Sequence, residues 1–273
     1  EEGFLAVENV LPMTAVEQLR SRFEPLFAGD FDTGVYPDEW YWREELSKPD
    51  VTRHMANAWK ADLTIAALSL SQDLGKAACR LTGWPSAKLG QDTIWWKPPG
   101  GKPIAYHQDT SFMDFLDPQE TITFWFALDD VTRQTGTLEY ARGSHKWPCT
   151  PMPSSFHAAG DYRGQLRAAA HAANAPMPDI YYAEVPAGSV VIHAGETWHG
   201  SGPNGSTGQM RRSIGVHLVS GQARFSDRRG GYIYRRYQIT GDAGLNESFF
   251  PMLWSAAGAR TTWLDDYCTS GTR

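Results

Sequence analysis

Residue types that ligate divalent metal ions recur here in one pattern. His107-Gln108-Asp109 closes a short β-like run, Ile104–His107. In an extended chain residues i and i+2 project to the same side, so one imidazole and one carboxylate face a common point. Ninety residues beyond Asp109 comes His199, far enough along to arrive from another strand. Two histidines and one carboxylate make the facial triad that holds a non-haem Fe(II) on one face and leaves positions open for other ligands. Twelve residues after His199, Arg211 opens a further strand-like run. Its planar fork can grip a carboxylate through two hydrogen bonds, which is what 2-oxoglutarate needs at the end away from a metal.

Other residues compete for these roles. His193 ends the Val190-Val191-Ile192 run and rivals His199 as third ligand, but it reads better as a hydrogen-bonded core histidine. His145 reads as a turn-stabilising residue. His217 has the parity of Arg211 and so faces an interior, whereas Arg212 points the other way and reads as a surface ion-pair residue. Trp95 shares the parity of Thr93, so it is the tryptophan of the Trp95-Trp96 pair that looks into a cavity and contacts substrate. Tyr36, Trp40, Tyr41, Trp42 and Arg43 read as packing, with a substrate-facing lid as the alternative. Arg224, Arg228, Arg229, Arg235 and Arg236 read as a solvated, salt-bridged loop; the rival reading has Arg228 and Arg235 close over the cavity and favour an anionic substrate. The glycines of Pro98–Lys102 lack the Lys-Ser/Thr ending of a phosphate-binding loop.

The elements that must carry these side chains change character along the chain. Apolar spacings of three and four predict a helix over Thr14–Ala28, between Pro12 and Gly29, and another over Ala61–Leu81, so the first third is largely helical. From Gln91 onward short β-rich runs alternate with Gly, Pro, Asn and Asp: Thr93–Lys97, Ile104–His107, Thr121–Leu128, Thr137–Tyr140, Ile180–Val185, Ser189–His193 and Ser213–Val219. Such punctuation predicts a sandwich or barrel. His157–Pro178, rich in Ala, Gly, Pro and Met, reads as an insertion between strands.

Taken in order, several segments resemble the phytanoyl-CoA dioxygenase family of Fe(II)- and 2-oxoglutarate-dependent oxygenases. They are Lys97-Pro98-Pro99, His107-Gln108-Asp109, the stretch Thr123 to Asp130, the stretch Gly136 to His145, and His199-Gly200-Ser201-Gly202 leading to Arg211. The opening Gly3-Phe4-Leu5 is also similar to the family's. Ala141-Arg142-Gly143 departs from the pattern, which has Pro before its Gly-Ser/Thr-His, and this touches a turn and not the metal site. The resemblance implies a mainly β fold with flanking helices, a double-stranded β-helix or cupin-type jelly roll, built as one oxygenase domain over residues 1–273. Residues 1–90 would be a mainly helical lead-in, 91–220 the jelly-roll core and 221–273 a carboxy-terminal extension. It further implies that His107, Asp109 and His199 ligate iron, that Arg211 pairs with the distal carboxylate of 2-oxoglutarate, and that Ser201, Trp125 and Thr93 line the cosubstrate pocket. The implied reaction consumes O2 and 2-oxoglutarate, hydroxylates a small or medium-sized organic molecule, and releases succinate and CO2. Desaturation, epoxidation or ring formation would use the same ligands. A halogenase would lack Asp109, and a non-catalytic jelly-roll binding module would not need the donor set.

Composition excludes several other classes. The 273 residues include 41% hydrophobic and 21% charged side chains, enough to bury a core and unlike a disordered chain. A net charge of −6 argues against a nucleic-acid or anionic-membrane partner. No apolar run reaches the ~18 residues of a membrane span, and the first residues lack a signal-peptide pattern. Cys79, Cys149 and Cys268 are odd in number and far apart, as expected of free, mostly buried thiols in a reduced, cytoplasmic chain.

Overall fold

The amino-terminal third supplies strands as well as the expected helices. In the computed structural model the described residues are 1–273 without 153, 154, 158, 159, 229, 232 and 270–273. First come β1 (Phe4–Val7), the helices α1 (Met13–Ser21) and α2 (Phe23–Ala28), and strands β2 (Glu39–Tyr41) and β3 (Arg53–Ala56). Helices α3 (Leu63–Ser69) and α4 (Gln72–Thr82) then lead into β4 (Ser86–Lys97).

Each predicted helix is in fact two. Pro25 has no amide proton and its ring crowds the carbonyl four residues back, so the first breaks at Arg22 before Gly29, at φ 89°, closes it. Inside the second, two residues act as N-caps: the Asp62 carboxylate accepts from the Ile65 amide at 2.9 Å and the Ser71 hydroxyl from the Asp73 amide at 3.2 Å. With Ser71 extended, α3 cannot run on into α4.

The middle of the chain follows the sequence reading more closely. β5 (Ile104–His107), β6 (Leu116–Asp117), β7 (Ile122–Ala127) and β8 (Leu138–Ala141) are followed by α5 (Gly164–Ala172), which lies within the predicted insertion. After it come β9 (Ile180–Tyr182), β10 (Val190–Ala194), β11 (His199–Ser201), β12 (Arg211–Ser220), β13 (Arg224–Phe225), β14 (Met252–Ser255) and α6 (Leu264–Thr269). The larger sheet has the order β1-β10-β7-β12-β4-β3-β2, with β14 also on β4; the smaller is β5-β11-β8-β9, and β13 pairs with β6. Every pair is antiparallel.

Strand alternation sorts the larger sheet's side chains. Ile94 and Trp96 of β4, Phe124 and Phe126 of β7, and Ile214, Val216 and Leu218 of β12 join α1–α4 in one apolar core. Thr93, Trp95, Thr123, Trp125, Arg211, Gly215 and His217, on the opposite parity, line a cavity toward the smaller sheet. Phe23 is fully buried in the helix-facing core, its ring 6.3 Å from that of Trp96 in an edge-on arrangement. Phe23→Ala is expected to destabilise the fold by about 3–5 kcal/mol. Urea unfolding would show it as a lower midpoint at unchanged slope.

Among the described residues no helix is long and apolar enough to cross a membrane. All three cysteines are free, but Cys149 is exposed and Cys268 only half-buried, so mostly buried thiols are not found.

Candidate metal and cosubstrate site

Backbone register brings the distant histidine to the His107-Gln108-Asp109 segment. In the smaller sheet His199 on β11 stands directly opposite His107 on β5. Gly200 permits that approach, since a Cβ there would lie 2.7 Å from the Tyr106 ring. Between the two ligand candidates, the Gln108 side chain donates to the Glu196 carbonyl at 2.8 Å and accepts from the Thr150 amide at 2.9 Å, which ties the segment down from outside.

Second partners fix each donor atom. The Nδ1 of His107 donates to the Ala105 carbonyl and that of His199 to the Thr197 carbonyl, both at 2.9 Å. With their protons on Nδ1, both rings turn an unprotonated Nε2 inward, 3.4 Å and 3.6 Å from Asp109 Oδ1. The other carboxylate oxygen, Oδ2, accepts from Thr123 Oγ1 at 2.5 Å and from His193 Nε2 at 2.9 Å. Tyr140 in turn donates to His193 Nδ1 at 3.0 Å. His193 is therefore satisfied at both nitrogens and stands behind the carboxylate. The Thr123 oxygen, having given its proton to Asp109, accepts from His217 Nδ1 at 2.9 Å.

His107, Asp109 and His199 are all buried, with donor atoms within 4.8 Å of one another. Burial by itself would raise the Asp109 carboxyl, but the surrounding His199, His217, His107 and His193 outweigh it and hold the group well below the usual carboxylate range. Burial and neighbouring His107 hold His199 well below an ordinary histidine. An ionised Asp109 beside a neutral His199 is the protonation state a metal requires of such ligands. The donor set fits a non-haem Fe(II) with open coordination positions.

Across the cavity Arg211 is 2% exposed and makes no ion pair among the described residues. One amino group donates to Ser213 Oγ at 2.9 Å and the other reaches Ser201 Oγ at 3.4 Å, while Nε is buried without a partner. Burial pulls its pKa down to about 10. Trp125, whose ring lies 5.7 Å from the guanidinium, also has a buried indole N–H without a partner. Such orphaned donors each cost about 1–3 kcal/mol, and they mark where an oxygen-rich anion fits. Lys97, a second fully buried cation, donates to Ser201 Oγ at 2.6 Å. Burial and Arg211 lower its pKa. Ser201 accepts from both cations, so its own proton is free to be donated. Lys97 was overlooked as a site residue although it shares the parity of Thr93 and Trp95 along β4.

The remaining sequence candidates divide. Ser201, Thr93 and Trp95 line the cavity, but the Thr93 hydroxyl is taken up by the Trp95 indole N–H at 2.9 Å. Arg212 points away and forms a two-pronged ion pair with Asp129 at 2.8 and 3.0 Å. Arg224, Arg228, Arg235 and Arg236 are not among the described residues that line the cavity, which corrects the substrate role read for Arg228 and Arg235. Arg228 caps the Leu116 carbonyl at 2.9 Å, Arg235 donates to the Ser226 carbonyl at 2.6 Å, and Arg236 pairs with Asp38 at 2.8 Å. Arg224 is exposed and Arg229 lies outside the described residues. His54, Phe156 and His157 line the cavity and were not singled out as site residues.

A double-stranded β-helix with this cluster between its sheets defines a cupin-type dioxygenase of the iron- and 2-oxoglutarate-dependent kind. Residues 1–213 match the model of the phytanoyl-CoA dioxygenase family, and the chain belongs to that family. It is 22% identical over 246 residues to the peroxisomal phytanoyl-CoA dioxygenase of Homo sapiens, across 84% of this chain and 69% of the human one. To dioxygenase swnH1 of Arthroderma benhamiae it is 27% identical over 119 residues, 44% of this chain and 31% of that protein. Among solved structures, the non-heme alpha-ketoglutarate-dependent carbocyclase SnoK from nogalamycin biosynthesis superposes with a TM-score of 0.71 at 23% identity, covering 92% of both chains.

Proposed function

We propose that this protein uses Fe(II), 2-oxoglutarate and O2 to hydroxylate a small or medium-sized organic substrate, releasing succinate and CO2. The single observation that carries the reading is one cavity with a buried His107–Asp109–His199 cluster and, across from it, a buried arginine that has no anion of its own. In this reading His107, Asp109 and His199 hold the iron, which supplies O2 activation coupled to decarboxylation of the keto acid. The other steps belong to the chain. Arg211 grips the distal carboxylate of 2-oxoglutarate, Ser201 donates its free proton to it, and the Trp125 N–H adds a further donor. Thr123 and His193 hold Oδ2 of Asp109, which leaves Oδ1 facing the Nε2 atoms of His107 and His199, the donor set that would hold the iron. The ring-lined walls exclude water from the reacting centre. The imidazoles around the iron cluster, His107, His199, His217 and His193, are tied up at Nδ1 or behind the carboxylate, so none of them is assigned as general base. We also place all 273 residues in one oxygenase domain, because α1–α4, β14 and α6 contribute to the same apolar core. The free thiols fit a reducing compartment such as the cytoplasm.

The test is anaerobic titration of the apoprotein with Fe(II) and then 2-oxoglutarate. The expected result is a visible metal-to-ligand absorption band that saturates at one equivalent of iron, followed by succinate formation on admission of O2. A protein that develops no band and makes no succinate is a binding module and not an enzyme.

A further inference from the structure

Beyond the iron cluster the cavity wall is built from rings. Phe156 meets His107 edge-on at 4.8 Å between centroids, and Trp95 and His157 lie 6.1 and 4.9 Å from Phe156. His54 completes the wall. It sits on β3 opposite Trp95 on β4, the two rings stacked at 4.1 Å. His54 is 6% exposed, lines the cavity, and neither ring nitrogen has a hydrogen-bond partner among the described residues. Both nitrogens of a buried imidazole left unpaired is an arrangement that folding alone does not favour.

Resting on the function proposed above, we infer that this wall is the substrate subsite and that it takes an uncharged, flat ring compound bearing a hydroxyl or carbonyl oxygen, which hydrogen-bonds to His54. Three observations define the class. The wall offers ring faces and edges in continuous succession from His107 outward, and such surfaces suit flat unsaturated rings. A neutral imidazole offers one donor and one acceptor, which match an oxygen substituent and not a full charge. Among the described residues no cation lines this end of the cavity: Arg53, the neighbour of His54, is turned to the other face between Trp42 and Trp96, 3.9 and 4.1 Å from their ring centroids, and the carboxylate that does line it, Glu39, already has a partner of its own. Burial agrees, holding His54 well below the ordinary histidine value and His157 down to about 4, so both stay uncharged at neutral pH.

Calorimetric titration of the full chain with 2-naphthol, naphthalene and 2-naphthoate tests this, under nitrogen with Fe(II) and 2-oxoglutarate present so that Arg211 is engaged. The naphthol is expected to bind about tenfold more tightly than either of the others. His54→Phe keeps a ring against Trp95 and is expected to remove that advantage over naphthalene, while His54→Gln, which keeps a donor and an acceptor, restores most of it. Should the Phe variant fail to fold, His54→Leu serves the same comparison. Equal binding of 2-naphthol and naphthalene, an advantage that survives loss of the imidazole, tighter binding of the naphthoate, or no binding of any ring probe would each overturn the inference. Repeating the titrations without iron and cosubstrate separates the two readings. A missing absorption band with His54-dependent naphthol binding defeats the proposed function alone, and a normal band with His54-independent binding defeats the subsite alone.

Discussion

Asp109→Ala is expected to abolish turnover and to weaken Fe(II) binding by more than about 100-fold, the upper end of what loss of a partner outside the ligand set costs. Two effects combine at this carboxylate. Among the described residues Oδ1 is the only anionic donor facing the two Nε2 atoms, at 3.4 and 3.6 Å. Oδ2 is the shared acceptor of Thr123 and His193, so its removal also frees those side chains to move. His193→Phe removes one hydrogen bond to Oδ2 and leaves all three donors, so its expected loss of iron affinity lies within about 10- to 100-fold. Anaerobic iron titration and succinate release measure both variants. Full turnover in Asp109→Ala, or a larger loss in the His193 variant, would show that the ligands have been misassigned.

The site was legible wherever chemistry and strand parity agreed. Asp109 and His107 share a face by spacing alone, and the odd positions of β4 and β12 place Thr93, Trp95, Arg211 and His217 on one wall. What parity could not supply was register between elements that have little pattern of their own. β11 is only His199–Ser201, with a glycine at its centre, and no periodicity announces three residues. His54 was missed for a related reason: β3 has four residues, and its cavity face exists only because Trp95 lies opposite. Paired helices were read as single ones because apolar spacing continues through Arg22 and Ser71, whereas the breaks are set by Pro25 and by the caps Asp62 and Ser71. The arginine cluster shows a limit of composition as evidence. Five cations just beyond β12 read as a solvated loop but left an anionic substrate open as the rival reading, and Arg228 and Arg235 direct their donors to carbonyls of Leu116 and Ser226. A guanidinium count says nothing of which acceptor each one meets.

Arg211→Ala is expected to raise the 2-oxoglutarate requirement by about 10² to 10⁴, the equivalent of the roughly 3–5 kcal/mol lost when one side of a buried ion pair is removed. Iron binding should change little, because no contact joins Arg211 to His107, Asp109 or His199. The same variant should not destabilise the protein measured without cosubstrate. In that state Arg211 is a buried cation with no anion, its Nε lacks a partner, and it pushes down the charge of buried Lys97. Removing it gives up packing but relieves that repulsion. Arg212→Ala is expected to behave in the opposite way. It breaks the pairing with Asp129 at 2.8 Å on the far face of β12, a partly exposed contact worth about 1 kcal/mol or less, and leaves the cosubstrate requirement unchanged. Two adjacent arginines on one strand thus separate by function: one matters only when 2-oxoglutarate is bound, the other only to the fold. Cosubstrate titrations and urea midpoints of the two variants, measured side by side, decide between this assignment and its reverse. A large rise in the 2-oxoglutarate requirement for Arg212→Ala, with Arg211→Ala unaffected, would mean that the distal carboxylate is held somewhere other than beside Ser201.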